Sequence, residues 1–207
     1  MLLRGYPQCR DTLLMMAFTI LMLISCSLQA STSPQPLNQW EYRWGDSPLN
    51  AQGAPQWLQD ESPDWNAIAF PADPPGREGQ QNVWFRVVLP EGDWNDPVLY
   101  ITSIDLVAQA YLDDRLIYQY GEFDTQGRGQ FAGWPWHMLD LPGDAAGKSL
   151  YLRVFSYYTN IGLWGEVQVM ERIDVLKHVI HNSAQDLGVS ALVLVLAILA
   201  TIFALIG

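Results

Sequence analysis

The sequence predicts an all-β fold, an antiparallel sandwich of the jelly-roll type, preceded by a signal peptide and followed by a juxtamembrane and a transmembrane helix. Three observations carry that prediction. Short β-rich runs separated by turn residues recur between residues 83 and 170, at the spacing of sandwich strands and with no helical period among them. Residues 187–207 carry no charge, and about 20 apolar residues at 1.5 Å rise span the hydrocarbon core of a bilayer. At the other end, Arg4 and Arg10 precede an apolar stretch over 13–23, too short to span, and small and polar residues follow through Ala30.

Residues 1–30 read as a secretory signal. Cleavage falls either after Ala30, with Leu28 at the third position back, or before Cys26, because Leu23-Ile24-Ser25-Cys26 resembles the lipobox of bacterial lipoproteins. Residues 31–36, S-T-S-P-Q-P, form an extended linker in which two prolines forbid regular structure. Between 37 and 70, Trp40, Trp44, Trp57 and Trp65 alternate with Gly, Pro, Asn and Asp, which predicts short strands and loops; Trp40, Tyr42 and Trp44 share one strand face at period two. Residues 71–81, P-A-D-P-P-G-R-E-G-Q-Q, make a long turn-rich loop.

Strands are then expected over 83–89, 98–101, 107–112, 115–120, 137–141, 149–156 and 166–170. Asp113 and Asp114 supply a tight polar turn between the third and fourth of these. In the sixth, Leu150, Leu152 and Val154 occupy one face and Tyr151, Arg153 and Phe155 the other. Helical spacing appears only afterwards. Ile173, Leu176, Ile180 and Leu187, with Val179 beside them, recur at three and four, which places an apolar stripe on a juxtamembrane helix over 172–186. No proline or glycine interrupts it before Gly188, so the sandwich is expected to join the span at 187–207 through one stiff rod. The span is still running at Gly207, and the chain reads as the front part of a longer protein.

Residues 37–171 suffice for one domain with a sizeable core. Cys9 and Cys26 are the only cysteines and both belong to the signal region, so the exported domain is expected to rely on packing without a disulfide. After Ala30 the chain has 9 basic and 21 acidic residues, a net charge of −12 with histidines neutral. Such a surface repels nucleic acid and anionic headgroups.

No nucleophile elbow, phosphate-cradling glycine loop or Cys/His metal cluster is present, and no motif calls for a cofactor. His178 and His181 lie three apart on the helix, but without a further ligand nearby they read as interfacial polar residues. Glu122, Asp124 and Glu166 can be nominated as a glycosidase-like pair only in a chain so rich in acids that any such pair is uninformative. The segment is therefore read as non-enzymatic. Nine tryptophans stand out, of which about six are expected to pack the core and loops. The binding candidates are those in loops with polar company: Arg128, Trp134, His137, Tyr157, Asn160, Trp164 and Glu166, expected to converge at one end of the sandwich. Gly127, Gly129 and Gly133 mark the stretch 121–133 as a tightly turned or mobile loop.

At Val83-Trp84-Phe85-Arg86, at Tyr111-Leu112-Asp113-Asp114-Arg115-Leu116-Ile117 and at Gly121-Glu122-Phe123, the chain resembles the galactose-binding-like jelly rolls at the front of family-two glycosidases, with Asp114 where glycine is common. Phe131-Ala132-Gly133-Trp134-Pro135-Trp136-His137, Gly147-Lys148-Ser149-Leu150-Tyr151-Leu152-Arg153 and Asn160-Ile161-Gly162-Leu163-Trp164-Gly165-Glu166 are more closely similar to the periplasmic front domain of bacterial receptors with seven membrane helices and diverse intracellular signalling modules. This second resemblance covers roughly residues 82–207. It implies a sensor domain in the periplasm, anchored in the inner membrane, that binds a small molecule such as a carbohydrate. It also implies a cytoplasmic output, in cis or on a partner protein, of the diguanylate cyclase or histidine kinase kind. The alternative is a membrane-tethered carbohydrate-binding or adaptor module without signalling output.

Overall fold

The computed structural model describes residues 33–59 and 64–206. The expected signal over 1–30 and the Cys26 motif lie outside these residues. Ten strands and one long helix follow in order: β1 (Gln35–Pro36), β2 (Trp40–Trp44), β3 (Asn66–Ile68), β4 (Asn82–Val88), β5 (Pro97–Ile104), β6 (Val107–Leu112), β7 (Arg115–Tyr120), β8 (His137–Asp140), β9 (Ser149–Phe155), β10 (Leu163–Glu171) and α1 (Arg172–Ile206). The strands form two antiparallel sheets, β1-β10-β5-β8 and β3-β2-β4-β9-β6-β7. The chain passes from one sheet to the other between β1 and β2, β4 and β5, β5 and β6, β7 and β8, β8 and β9, and β9 and β10, an order compatible with a jelly roll.

Strand alternation decides what fills the space between the sheets. In β9, Leu150, Leu152 and Val154 point into the main core, while Tyr151 and Phe155 belong to other apolar clusters, as the period-two pattern requires. In β4, Val83, Phe85 and Val87 point inward and Trp84 points out. Trp84 is nonetheless fully buried, because Trp57 and Trp65 from the loops after β2 cover the outer face of the six-stranded sheet with Tyr111 and Tyr151. Trp84 stacks on Tyr111 at 5.7 Å and meets Trp57 edge-on at 6.1 Å. Arg43 and Arg86 lie over Trp57 and Trp65 at 4.1 and 4.6 Å, holding the two rings to the sheet by cation–π attraction. Trp40, Trp57, Trp65, Trp84 and Trp94 are buried and Trp44 packs partly against the core, six in all.

Two expectations about the ends of the domain need correction. Gln35 and Pro36 are not linker: they pair with Val169 and Gln168, and the Leu37 amide donates to the Val167 carbonyl at 3.1 Å. Proline is tolerated here because β1 is an edge strand. The apolar stripe of the helix also faces the other way. Ile173, Leu176, Ile180 and Leu187 are exposed, whereas Val175 is fully buried with Val98, Tyr100 and Met170, and Met138 and Val179 close the same cluster. The first turns of α1 therefore lie on the outer face of the four-stranded sheet.

Polar contacts fix the helix there. Arg172 donates to both oxygens of Asp96 at 2.8 and 3.2 Å and to Asp140 at 3.0 Å, and His178 Nε2 lies 2.6 Å from a Glu166 oxygen. Those carboxylates hold the Arg172 guanidinium above its ordinary pKa. The helix is continuous over Arg172–Ile206, as the unbroken stretch predicts, but is bent by 43° between Arg172–Ala184 and Leu187–Ile198. No single helix among the described residues is long and apolar enough to cross a membrane, while the bent pair meets the test together by length and composition.

Candidate ligand-binding site

The register places the start of β4, the end of β9, the start of β6 and the end of β7 at one end of the six-stranded sheet, since Asn82 and Val107 both pair with Phe155 and Ala108 pairs with Tyr120. The long β7–β8 connection leaves from this end, and the residues after β9 rise beside it. Between them lies a concave site of about 760 Å³, lined by aromatic groups from Phe123, Phe131 and Tyr157 and by polar groups from Glu122, Asp124 and Arg128.

The connection is organised by Asp124. Its carboxylate accepts from the amides of Gln126 at 2.8 Å and Arg128 at 2.9 Å and from Arg128 Nε at 3.2 Å, while the Asp124 amide donates to the Arg128 carbonyl at 2.7 Å. The Arg128 amide, then that of Gln126 and the guanidinium, lowers the Asp124 pKa despite some desolvation, so the carboxylate stays charged and the turn stays closed. Gly127 sits in the left-handed region at φ +71°, where a Cβ would strike the Asp46 carboxylate and Arg153. Arg153 is clamped by Asp46, donates to Gln109 at 3.0 Å and lies 4.0 Å from the Phe123 ring centroid. The floor of the cleft therefore rests on a fixed guanidinium.

Of the seven residues picked out by sequence, Arg128 and Tyr157 line this cleft. Trp134, 70% exposed, packs edge-on against Phe131 of its wall at 5.0 Å. Asn160 and Trp164 serve a neighbouring lock. Asn160 donates to Asp73 at 2.8 Å, and the Trp164 indole and the Gly162 amide donate to the buried Asp105 carboxylate at 2.9 and 2.8 Å. Burial raises the Asp105 pKa against those two hydrogen bonds.

Glu166 points to the helix instead. It occupies a bulge in β10 opposite Thr102, built around Gly165 at φ +76°, where a Cβ would lie 2.7 Å from the Thr102 Cβ. His137 is not a surface group: only 1% exposed, it shares its Nδ1 with the Tyr118 hydroxyl at 2.7 Å, and burial pushes its pKa down to about 4. Its Nε2 and the neighbouring Tyr120 hydroxyl have no hydrogen-bond partner. The expected convergence is thus divided among a cleft, a loop lock, the helix contact and the core. Sequence reading missed Phe123, Phe131 and Glu122 as cleft residues, although their place in the glycine-punctuated stretch 121–133 was the available signal.

Among the described residues no group of three or more His, Cys, Asp or Glu side chains is placed to hold a metal ion. Aromatic faces beside carboxylate, amide and guanidinium groups suit a small hydroxylated molecule with a flat apolar face.

No protein-family profile and no curated protein matches this chain. Solved structures share its fold. A β-glucuronidase from Ruminococcus gnavus, in complex with an N1-substituted uronic isofagomine, superposes with a TM-score of 0.51 at 12% identity, covering 69% of this chain and 30% of that one. A glycosyl hydrolase family 2 member from Bacteroides cellulosilyticus has 18% identity and a TM-score of 0.46 over 67% of this chain and 20% of its own. A β-glucuronidase from Parabacteroides merdae has 14% identity and a TM-score of 0.47 over 67% of this chain and 22% of its own. The chain thus spans less than a third of each of these proteins. The first likeness shows that this chain shares a fold with part of that β-glucuronidase.

Proposed function

We propose that this chain is the extracytoplasmic ligand-binding input domain of a bacterial inner-membrane signalling receptor, binding a small molecule such as a carbohydrate in the cleft walled by Phe123, Phe131 and Tyr157, without catalysis by this segment. The observation that carries the reading is a physical connection between cleft and helix. Phe131 and Ala132 line the cleft, and five residues on from Phe131 the Trp136 ring lies 6.3 Å from Tyr100, which in turn meets His178 of α1 edge-on at 5.6 Å. One short segment thus borders the ligand space and packs on Tyr100, the ring against which the helix docks. A ligand that displaces it changes the surface on which the helix rests, which is the differential contact a two-state device needs. The fold likeness to the Ruminococcus gnavus β-glucuronidase favours a sugar as the ligand class.

The test is a sugar screen by thermal shift on the whole chain in detergent micelles, repeated with Tyr157→Ala, followed by hydrogen exchange over residues 172–182. Binding lost in the variant together with a ligand-dependent change in helix exchange supports a sensor. Binding without any change at the helix supports the tethered module, and no binding by any sugar removes the carbohydrate reading.

A further inference from the structure

The helix runs back along the sheet that precedes it, and its direction decides which end of the sandwich meets the membrane. Arg172 touches Asp96 beside the start of β5, Val175 packs with Val98 and Tyr100, and His178 reaches Tyr100 and Glu166, next to Thr102. With each turn α1 moves toward Ile104, the end of β5. At about 1.5 Å per residue Leu187 lies roughly 13 Å beyond His178, whereas Ile104 lies only about 7 Å beyond Thr102 at strand rise. The uncharged stretch therefore begins level with the loops at this end, and the 43° bend does not reverse its course.

Those same loops carry the exposed aromatic groups of the sandwich. Trp134 is 70%, Tyr157 52%, Phe131 46%, Trp136 45% and Tyr158 38% exposed. Trp94, near the start of β5 at the opposite end, is buried. Tryptophan and tyrosine rings with one apolar face and a polar edge partition to the headgroup level of a bilayer. The domain's net charge of −12 leaves no electrostatic attraction to anionic lipid, so ring insertion has to supply the contact.

We propose that the loop ends bearing Phe131, Trp134, Trp136, Tyr157 and Tyr158 rest on the lipid interface, so that the cleft opens beside the membrane surface and receives its ligand there. This rests on the reading of the apolar end of α1 as membrane-embedded. The experiment uses the whole chain in phosphatidylcholine vesicles, with flotation after alkaline extraction as the first arm. Quenching of tryptophan emission by lipids spin-labelled near the headgroup is the second.

Flotation with lipid-dependent quenching that is lost in Trp134→Phe/Trp136→Phe and retained in Trp94→Phe is the expected result. Flotation with quenching that survives the double substitution overturns the interfacial contact while sparing the membrane anchor. Failure to float removes both. Quenching that needs anionic lipid also overturns the proposal, since it would show attraction by charge.

Discussion

Acidification from pH 7 to pH 5 should weaken the sandwich by about 2 kcal/mol through one side chain, His137. The ring is 1% exposed at the start of β8, and burial depresses its pKa from 6.5 to about 4. Below pH 6.5 the unfolded chain takes up a proton on this imidazole, whereas the folded protein does not until about pH 4. The stabilisation is therefore complete above pH 6.5, falls as the pH drops through that window, and is fully lost below about pH 4. The whole interval corresponds to about 3 kcal/mol at 1.36 kcal/mol per pH unit. Asp105, whose carboxyl burial raises its pKa, acts with the opposite sign, so the informative quantity is a difference between variants. Urea unfolding of a fragment spanning residues 33–182, followed by fluorescence at several pH values, should give a steeper loss for wild type than for His137→Gln, which keeps an acceptor for the Tyr118 hydroxyl. Parallel slopes for the two proteins between pH 7 and pH 5 would show that His137 is not a neutral buried ring, and the linkage argument would fail.

Trp84→Ala should lower stability by about 3–5 kcal/mol, since a fully buried ring stacked on Tyr111 and donating to Asp46 at 3.2 Å is removed; an unchanged urea midpoint would contradict the packing described. Ending the domain at residue 171 rather than 182 should cost about 2–4 kcal/mol, because it deletes buried Val175 and uncovers Val98 and Met170, and comparison of the two fragments' melts tests this. Asp105→Ala leaves the Gly162 amide and Trp164 indole without their acceptor, at about 1–3 kcal/mol each, and Asp105→Asn should recover much of the loss in the same assay. Gly127→Ala should loosen the Asp46–Arg153 clamp under Phe123, visible as weakened ligand binding and a lower melting temperature together.

Patterning that repeats along the chain was legible in the sequence. The two-residue alternation of Leu150, Leu152 and Val154 against Tyr151, Arg153 and Phe155 specified which side chains enter the core, because neighbouring side chains in a strand must leave on opposite faces. The β6–β7 hairpin kept its predicted bounds, with Asp113 taking the left-handed conformation at φ +52° that a short polar side chain tolerates.

Contacts between distant segments were not legible. Periodicity named an apolar stripe on α1 but not its partner, and the surface available to the helix, Val98, Tyr100 and Met170, took Val179 of that stripe together with Val175, leaving Ile173, Leu176 and Ile180 exposed. His137 and Trp134 are three residues apart in one motif and ended in opposite environments, one sealed under Tyr118 and Tyr120 and the other 70% exposed, because β8 begins at His137 and pairs with Ile101 of β5. Local sequence determined most of the strands and which face each presents, but not β1, which exists only because Gln35 and Pro36 meet Val169 and Gln168 of β10. Only the tertiary structure decided which loops share an end, since that depends on how the strands of two sheets are ordered, and strand order is set by pairings between residues far apart in the chain.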